Sequence, residues 1–424
     1  MKFATVTVMG LGYIGLPTAC LMAQHGLEVT GVDVSERVVQ AVNAGRLHIV
    51  EPGLGDVLKA VVNDGKLRAA LTPQPADAFI IAVPTPFTAG HKPDCSYIQS
   101  AAQALAPALR KGSLVVLEST SPVGTTEQLA AWLAEARPDL TFPQQAGEEA
   151  DVQVAHCPER VLPGHILREL VENDRIVGGL CDKGARQAAD LYRVFVKGDI
   201  ALTNARTAEM SKLTENRFRD VNIAFANELS VLCDELGIDV WELIRLANRH
   251  PRVNILRPGC GVGGHCIAVD PWFIVDSAPL SARIIRTARE VNDSKPLWLL
   301  DKVKVALAEA LSAQPEKSLQ DMSVACLGLA FKPDIDDLRE SPAVRLTGDI
   351  ASMGCGVLAV EPHITALPAK LEKLEKLSLV DLDTALAQAD VTVLLVAHSA
   401  FVREAEKILA IPRIIDAVGL RCYV

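Results

Sequence analysis

The chain has 424 residues, 49% of them hydrophobic and 22% charged, with a net charge of −10. This length exceeds one ordinary domain and indicates two or three, and the composition is globular rather than disordered. The acidic balance argues against a general nucleic-acid surface, so no nucleic-acid partner is expected.

The start of the sequence has no signal-peptide layout, and no apolar run approaches the ~18 residues that cross a bilayer. We therefore expect a cytoplasmic protein without membrane insertion. Its ten cysteines are scattered without a CxxC pair or other ligand spacing. Reduced thiols and no metal are expected.

The N-terminal part alternates strands and helices. Residues 6–9 and 27–32 are predicted strands with a helix at 17–25 between them, and further strands are predicted at 78–83, 114–117, 152–155 and 175–177. This alternation predicts a parallel doubly wound sheet.

The loop Gly10–Gly15 carries the pattern GxGxxG between the first strand and the first helix, with Asp33 at the end of the second strand. In this setting the glycines allow a tight turn and the approach of a pyrophosphate to the helix N-terminus. Asp33 would bind ribose hydroxyls and repel a 2′-phosphate, which favours NAD, although Arg37 could host that phosphate.

Two further loops follow apolar strands, one containing Thr85 and one containing Thr120. Ligands bind at the carboxyl ends of parallel strands. Pro, Ser and Thr also suit simple turns, so ligand binding and turn chemistry both remain open for these two residues.

A long helix is predicted over residues 206–236, with Gly237 to stop it. Lys212 and Asn216 lie four residues apart and share one face of it. That face either meets solvent or lines a pocket, where a lysine could stabilise an oxyanion and exchange protons.

The glycine run 261–264 is followed by Cys266 and Asp270. Glycine allows close backbone approach, and a helix beginning after Gly264 would favour a thiolate at Cys266. The alternative is a tight turn with a buried structural cysteine.

After a polar segment at 312–321, strand and helix alternation resumes. Strands are predicted at 324–329, 357–360, 391–396 and 413–416, with a helix at 343–353. Lys332 and Arg339 flank the start of this lobe's first helix and supply cations that a second nucleotide could bind. His250 and Arg252, which precede the glycine run, could also bind phosphates, and each of these charges could instead be a surface group.

Taken in order, the motifs GxGYxGL, VPTP, STSPVG, PER, ExxKLxENxFR, GxGVGGHCxxxD and GLAFKPxxDDxRESP resemble the UDP-glucose/GDP-mannose dehydrogenase family along the full chain. The resemblance implies two Rossmann-like doubly wound parallel-sheet domains joined by a helical middle domain with a long central helix. The implied boundaries are 1–205 for NAD binding, 206–311 for the middle and dimerisation domain with the catalytic Lys and Cys, and 320–424 for UDP-sugar binding.

The resemblance also implies two successive NAD-dependent oxidations at C6 of a UDP-sugar, through a thiohemiacetal and a thioester on the cysteine. The implied catalytic residues are Cys266, Lys212, Asn216, Glu159, Thr120 and Asp270. The implied NAD contacts are Gly10, Gly12, Tyr13, Ile14, Gly15, Asp33, Arg37, Thr85, Thr126 and Arg339. The implied substrate contacts are Arg160, Val161, Lys212, Asn216, Arg219, His250, Arg252, Gly263, Phe331 and Lys332. A homodimer through the middle domain is implied, in which His250 and Arg252 serve the partner's site.

Residues 157–164 and 248–254 resemble members that act on a 2-acetamido sugar, and the product is expected to enter bacterial surface polysaccharide. Members acting on UDP-glucose carry a glutamate where this chain has Pro163. The resemblance therefore implies UDP-N-acetylmannosamine as the substrate, and its C2 epimer UDP-N-acetylglucosamine is the alternative. A two-electron β-hydroxyacid-type dehydrogenase and a non-catalytic nucleotide sensor are the remaining alternatives.

Overall fold

The computed structural model describes residues 3–88, 92–162, 164–264 and 267–423. The chain divides into two compact units. The first comprises Met1–Glu215 and Trp272–Ser277, and the second comprises Asn216–Pro271 and Ala278–Val424. Across the described ranges, no helix combines the length and apolar character that a bilayer crossing requires. The three-domain division stays a prediction.

The first unit is built on an eight-stranded sheet with the order β3-β2-β1-β4-β5-β6-β7-β8. Its strands are β1 (Thr5–Met9), β2 (Glu28–Val32), β3 (Leu67–Ala70), β4 (Ala78–Ile81), β5 (Leu114–Leu117), β6 (Gln153–His156), β7 (Arg175–Gly179) and β8 (Ile200–Asn204). The helices are α1 (Gly15–Gln24), α2 (Glu36–Asn43), α3 (Leu54–Asn63), α4 (Ser96–Leu105), α5 (Thr125–Ala136), α6 (Pro143–Ala146), α7 (Ile166–Glu172) and α8 (Asp182–Tyr192). The strand order reverses at β1, where doubly wound sheets bind ligands.

One pair of neighbouring strands departs from the predicted parallel arrangement. β6 and β7 run antiparallel, with His156 opposite Gly178, whereas the other neighbouring pairs of this sheet are parallel. The seven residues of α7 span roughly 10 Å, and only Asn173 and Asp174 separate it from β7. The chain therefore re-enters the sheet at the edge where β6 ended, and Arg175 lies beside the residues that follow β6.

Both faces of the first sheet are buried, as expected for a mainly parallel sheet. Along β4, Ile80 belongs to the core on one face, while Phe79 and Ile81 belong to the core on the other. This follows from the alternation of strand side chains. The covered faces leave the carboxyl-end loops as the place where polar side chains gather.

The middle of the chain is helical. α9 (Ala205–Leu236) has 32 residues, about 48 Å of helix. It ends before Gly237, whose φ of 68° is a left-handed conformation that glycine adopts without strain. The predicted long helix and its stop signal are confirmed. The helices α10 (Val240–Ala247), α11 (Pro271–Ser277) and α12 (Arg283–Ala313) follow.

The second unit contains a five-stranded parallel sheet with the order β11-β10-β9-β12-β13. Its strands are β9 (Ser323–Leu327), β10 (Gly356–Val360), β11 (Leu377–Leu379), β12 (Val391–Leu394) and β13 (Ile414–Asp416). Its helices are α13 (Pro342–Ala351), α14 (Ala369–Glu372), α15 (Leu382–Gln388), α16 (Ser399–Arg403) and α17 (Ala405–Leu409). The predicted fold class is confirmed.

The sequence pattern does not predict three of these strands, β3, β8 and β11. All three are at sheet edges. Edge strands need no continuous apolar run, because they are not covered on every side. β3 reads Leu-Arg-Ala-Ala and so has no β-branched or aromatic residue that would mark a strand.

Candidate active site

The loop between β1 and α1 has the local geometry of a dinucleotide site. Gly10 has a φ of 91°, and a Cβ at that position would lie 2.5 Å from the carbonyl oxygen of Ala82. A Cβ on Gly15 would lie 1.9 Å from the carbonyl oxygen of Gly10, whereas Gly12 has open space where its Cβ would be. Two glycines are therefore required by packing, and the third leaves exposed backbone at the helix N-terminus.

Asp33 and His48 hold this loop in place. The Asp33 carboxylate accepts hydrogen bonds from the amides of Leu11, at 3.1 Å, and Ser35, at 2.9 Å. His48 Nε2 lies 2.8 Å from the carbonyl oxygen of Leu11. Since α1 has no side-chain cap at its N-terminus, its first amides fit a pyrophosphate. The residues present therefore fit an NAD molecule. In the loop, Tyr13 is exposed and Ile14 is half-buried, and Arg37 is exposed on α2.

The loops after β4 and β5 are tied to each other. The Thr85 hydroxyl donates to the carbonyl oxygen of Thr120 at 2.5 Å, and the Ser119 hydroxyl donates to that of Val83 at 2.7 Å. Thr85 is buried and Thr120 is half-buried. The structure thus brings these two predicted residues together at the carboxyl edge of the sheet.

Thr126 has a buried partner that the sequence did not indicate. Its amide and its hydroxyl donate to one oxygen of Glu209, at 2.8 and 2.6 Å, and the amide of Gly124 donates to the other at 2.6 Å. Glu209 thereby caps the start of α5, where a carboxylate is favoured by the helix dipole. Burial raises the pKa of Glu209. Since the donors of Thr126 are engaged by Glu209, its role as an NAD contact stays a prediction.

Glu159 follows β6 and is buried within an ionic cluster. One carboxylate oxygen accepts from the amide of Arg160 at 2.6 Å, and the other accepts from Arg175 Nη2 at 3.3 Å. Arg175 Nη1 lies 3.3 Å from Glu118, which follows β5. Glu159 was predicted from the sequence, whereas Glu118 and Arg175 were not. The sequence feature that indicates them is a charged residue at the end of an apolar strand.

The electrostatics of this cluster are those of two carboxylates that share one cation. Burial raises the pKa of Glu118 to about 7, although Arg175 opposes the shift. Burial also disfavours the charge on Arg175, but Glu159 and the other neighbours keep its pKa above the ordinary value. Arg175 therefore stays charged, and Glu118 changes its protonation near neutral pH.

The loop that carries Arg160 and Val161 is anchored at both ends. Glu51 is buried and accepts from the amides of Gly164 and Ile166, both at 2.8 Å. The Arg160 guanidinium lies 2.7 Å from Glu215 and donates to the carbonyl oxygen of Asp174 at 3.0 Å. Pro163, where the chain departs from the UDP-glucose pattern, lies outside the described residues. The anchors hold a half-buried Arg160 and Val161 in one arrangement.

In the second unit the glycine run packs against the loop after β9. The amide of Gly264 donates to the carbonyl oxygen of Arg339 at 3.0 Å. A Cβ on Gly263 would lie 2.6 Å from the carbonyl oxygen of Glu340, and one on Gly264 would lie 2.9 Å from the Phe331 ring. The close approach that glycine permits is thus made by the protein's own loop. The roles of Gly263 and Phe331 in substrate binding stay predictions.

A polar pair lies where α9 meets the segment after the glycine run. Asn216 donates to Asp270 at 2.5 Å, and Arg217 Nη2 lies 3.9 Å from the same carboxylate. Asp270 and Arg217 are buried. The structure therefore joins two of the predicted catalytic residues. It adds a buried arginine, which occupies an unspecified position of the ExxKLxENxFR pattern.

The remaining predicted residues lie at or near the surface. Lys212 is half-buried on α9, Lys332 is half-buried, and Arg339 pairs with Asp337 at 2.6 Å. Arg219, His250 and Arg252 are exposed. Cys266, the predicted nucleophile, lies outside the described residues.

Three family models match the chain. They are the NAD binding domain of the UDP-glucose/GDP-mannose dehydrogenase family over residues 4–196, its central domain over 206–294 and its UDP binding domain over 325–420. The chain belongs to this family. It is therefore an NAD-dependent enzyme of the UDP-sugar dehydrogenase class, and the predicted family, enzyme class and cofactor are confirmed.

Individual members of the UDP-glucose/GDP-mannose dehydrogenase family are similar to this chain over nearly its whole length. A UDP-N-acetyl-D-mannosamine dehydrogenase of Escherichia coli (strain K12) is 60% identical over 402 residues, 95% of either chain. An NDP-N-acetyl-D-galactosaminuronic acid dehydrogenase of Ralstonia nicotianae is also 60% identical, over 95% of this chain and 92% of its own. The solved UDP-D-ManNAc dehydrogenase of Pyrococcus horikoshii has a TM-score of 0.84 at 39% identity, covering 98% of this chain and 96% of that one.

Proposed function

We propose that this enzyme oxidises the C6 alcohol of UDP-N-acetyl-D-mannosamine to the carboxylate, giving UDP-N-acetyl-D-mannosaminuronate. The observation that carries the proposal is the 60% identity, over 95% of the chain, to a dehydrogenase named for that sugar. The buried carboxylate of Glu159 at the end of β6 supports formation of an acid, since that step needs a base for water.

Each proposed role follows from the chemistry of the side chain. NAD, when bound at the Gly10–Gly15 loop, accepts the hydrides that leave C6. Lys212 takes the proton of the C6 hydroxyl as the aldehyde forms. The Cys266 thiolate adds to the aldehyde carbon while Lys212 returns the proton to the oxygen, which gives a thiohemiacetal. When the second hydride leaves, Lys212 takes that hydroxyl proton again and the thioester forms.

Water then cleaves the thioester. Glu159 takes a proton from the attacking water, which bonds to the acyl carbon, and the Cys266 thiolate leaves as the carboxylate forms. Thr120 would position this water. Asn216, fixed by its hydrogen bond to Asp270, would donate to the developing oxyanion together with Lys212.

The stoichiometry of NADH tests the four-electron scheme. Wild-type enzyme should release two NADH per sugar, and Cys266→Ala should form no uronate, because the thioester cannot form. Cys422→Ala is the matched control, since that exposed thiol has no proposed role. Uronate released at the normal rate by Cys266→Ala contradicts the thioester route, and one NADH per sugar in the wild type supports the two-electron alternative.

The sugar is tested separately. The relative named for N-acetyl-D-galactosaminuronic acid is as similar as the mannosamine one, so a UDP-N-acetylgalactosamine substrate is the second candidate. Turnover of the UDP-linked forms of N-acetylmannosamine, N-acetylglucosamine, N-acetylgalactosamine and glucose should give the highest kcat/KM for the first. A higher value for any other sugar replaces that assignment.

A homodimer through the middle helices belongs to the same proposal. Within the second unit, a groove of about 690 Å³ between α9 and α12 is lined by apolar residues that include Phe225 and Ile284. These side chains are 50% and 70% exposed, and apolar patches of this kind mark protein interfaces. Phe225→Asp should yield monomers in light scattering, and Val50→Asp, at another exposed apolar residue, should leave the dimer intact. A monomeric wild type contradicts the dimer.

A further inference from the structure

The cluster of Glu118, Arg175 and Glu159 contains groups that the proposed mechanism does not use. The side chains of Arg175, Glu118 and Glu159 are 5%, 0% and 9% exposed. One guanidinium thus lies between two carboxylates, with Nη1 and Nη2 each 3.3 Å from one of them. Burying three charged groups is costly unless their interactions compensate, so such an arrangement suggests a function.

Neighbouring elements fix the geometry of the cluster. The Arg175 guanidinium stacks on the Tyr192 ring, 4.6 Å from its centroid, and lies 5.5 Å from the centroid of Phe195. The Tyr192 hydroxyl donates to Glu118 at 3.2 Å. A stacked guanidinium has one orientation, so its two donors stay aimed at the two carboxylates.

Among the described residues, the groups that face the cluster come from five elements. Glu118 follows β5, Cys157 and Glu159 follow β6, Arg175 begins β7, and Tyr192 ends α8. On α1, the Thr18 hydroxyl donates to Glu118 at 3.4 Å. Burial raises the pKa of Cys157 to about 12 and raises the pKa of Tyr192 further above its ordinary value. These two groups therefore stay neutral at physiological pH, and Glu118 is the group whose charge varies.

We infer that Arg175 and Glu118 are positioning residues that set the orientation of Glu159 during thioester hydrolysis. The inference rests on the proposed function, because the role of Glu159 as the base is part of it. Arg175 holds one oxygen of Glu159 while the amide of Arg160 holds the other. Glu118 accepts from the other terminal nitrogen of the same guanidinium.

The two positioning residues act one after the other. Arg175 Nη2 holds the Glu159 oxygen that does not accept from the Arg160 amide, while Glu118 and Tyr192 hold the Arg175 guanidinium in that place. The proton that Glu159 receives from water is later released to solvent, so neither positioning residue gains or loses atoms in the reaction. Their effect is on the direction in which the Glu159 carboxylate faces the attacking water.

The test is the rate of thioester hydrolysis, read from the acyl-enzyme on Cys266. Arg175→Gln leaves the Glu159 carboxylate with the Arg160 amide alone, so kcat for uronate should fall at least roughly tenfold and the acyl-enzyme should accumulate in mass spectra of the quenched enzyme. Arg175→Lys keeps the charge without the two-pronged donor and should accumulate less acyl-enzyme. Glu118→Gln keeps Arg175 but loses the carboxylate that holds it, and should also accumulate less than Arg175→Gln.

Accumulation of the acyl-enzyme distinguishes this role from a structural one. Glu51→Gln is the matched control, because Glu51 is a buried carboxylate that anchors the same loop without contacting Arg175. It should lower thermal stability without accumulating acyl-enzyme. Should Arg175→Gln not fold, Arg175→Lys and Glu118→Gln still predict accumulation. A lower kcat without accumulated acyl-enzyme, or an unchanged kcat in a folded Arg175 variant, overturns the inference.

The same measurements separate this inference from the proposed function. Two NADH per sugar in the wild type support the four-electron scheme whatever the variants do. If the preferred sugar proves to be another, the acyl-enzyme is measured with that sugar and the inference is tested unchanged. If the wild type forms no acid at all, the four-electron scheme and the role of Glu159 as a base are both wrong.

Discussion

The two sheets begin with the same local design and complete it differently. In the first unit, Gly10 has a φ of 91° and its amide donates to the carbonyl oxygen of Val32 at the end of β2. In the second unit, Gly328 has a φ of 92° and its amide donates to that of Val360 at the end of β10. An acidic residue then follows in each unit, Asp33 in the first and Glu361 in the second.

The difference lies in how many amides the acid engages. In the glycine loop Asp33 accepts from one amide, that of Leu11. Glu361 has a longer side chain and accepts from the amides of Leu329 and Ala330, at 2.7 and 2.9 Å, while His398 Nε2 lies 3.0 Å away. These loop amides of the second unit are thus bound by the protein.

The following helix adds to the contrast. α1 begins five residues after Gly10, whereas α13 begins at Pro342, well beyond Gly328. A dinucleotide site needs exposed amides beside a helix N-terminus. A glycine with positive φ after the first strand therefore does not by itself make a pyrophosphate site.

The largest expected effect comes from filling the space that the glycines leave. Gly15→Ala should weaken NAD binding at least roughly tenfold, because the added methyl meets the backbone of Gly10 and overpacking costs about 1–3 kcal/mol. Gly328→Ala places its Cβ 2.6 Å from Val396 Cβ at a positive φ. It should lower the melting temperature and leave the NAD Kd unchanged. Calorimetric titration with NAD measures the NAD affinity of both variants. Equal losses of NAD affinity would contradict the difference between the two glycine loops.

A smaller effect is expected from the two acids. Asp33→Asn should weaken NAD binding by about tenfold and reduce the preference for NAD over NADP, because a charged hydrogen-bond acceptor for the ribose is lost. Glu361→Gln should not change NAD affinity. Binding of NAD and NADP to both variants checks this, and a loss of NAD affinity in Glu361→Gln would show that the second loop also serves the dinucleotide.

Two buried glutamates should respond to pH in opposite ways. Burial raises the pKa of Glu118 from 4.5 to about 7, so its contribution to stability is lost as pH rises across that interval. The melting temperature of Glu118→Gln should therefore rise relative to that of the wild type as pH increases between these values.

Glu361 should show the reverse. Burial alone would raise its pKa, but hydrogen bonds from His398, Leu329 and Ala330 hold it below the ordinary 4.5. Its stabilisation is present above that pH and is lost as pH falls through the lowered pKa. Glu361→Gln should thus melt earlier than wild type at neutral pH, with the gap closing in acid. Melting temperatures of both variants and the wild type, recorded from acid to neutral pH, give the change of stability with pH. The sign of this change should differ between Glu118 and Glu361.

The smallest effect concerns Arg37. This side chain is exposed on α2, and exposed charges contribute little. Arg37→Ala should change the NAD Kd by less than about twofold. The double variant of Asp33→Asn and Arg37→Ala is titrated with NADP by fluorescence. If it has lost the NADP binding that Asp33→Asn alone retains, Arg37 binds the 2′-phosphate.

Sequence reasoning identified the elements with strong local signals. The long helix α9 was predictable from its period and from Gly237, and the Gly10–Gly15 loop from its place between a strand and a helix. The contacts of Glu209, Arg175 and Glu361 were not predictable, because the partners of each are distant along the chain. Arg175 in particular depends on the antiparallel turn of β7, which has no local signature.

The sequence by itself determined the two α/β lobes, the helical middle, the family and the kinds of side chain available for catalysis. These depend on patterns within a few turns of the chain, where period and turn chemistry act locally. Only the tertiary structure decided which acid meets which cation at the strand ends and which glycine faces protein instead of open space. Those outcomes depend on the direction and order in which strands join the sheet, and that is settled by packing between distant segments.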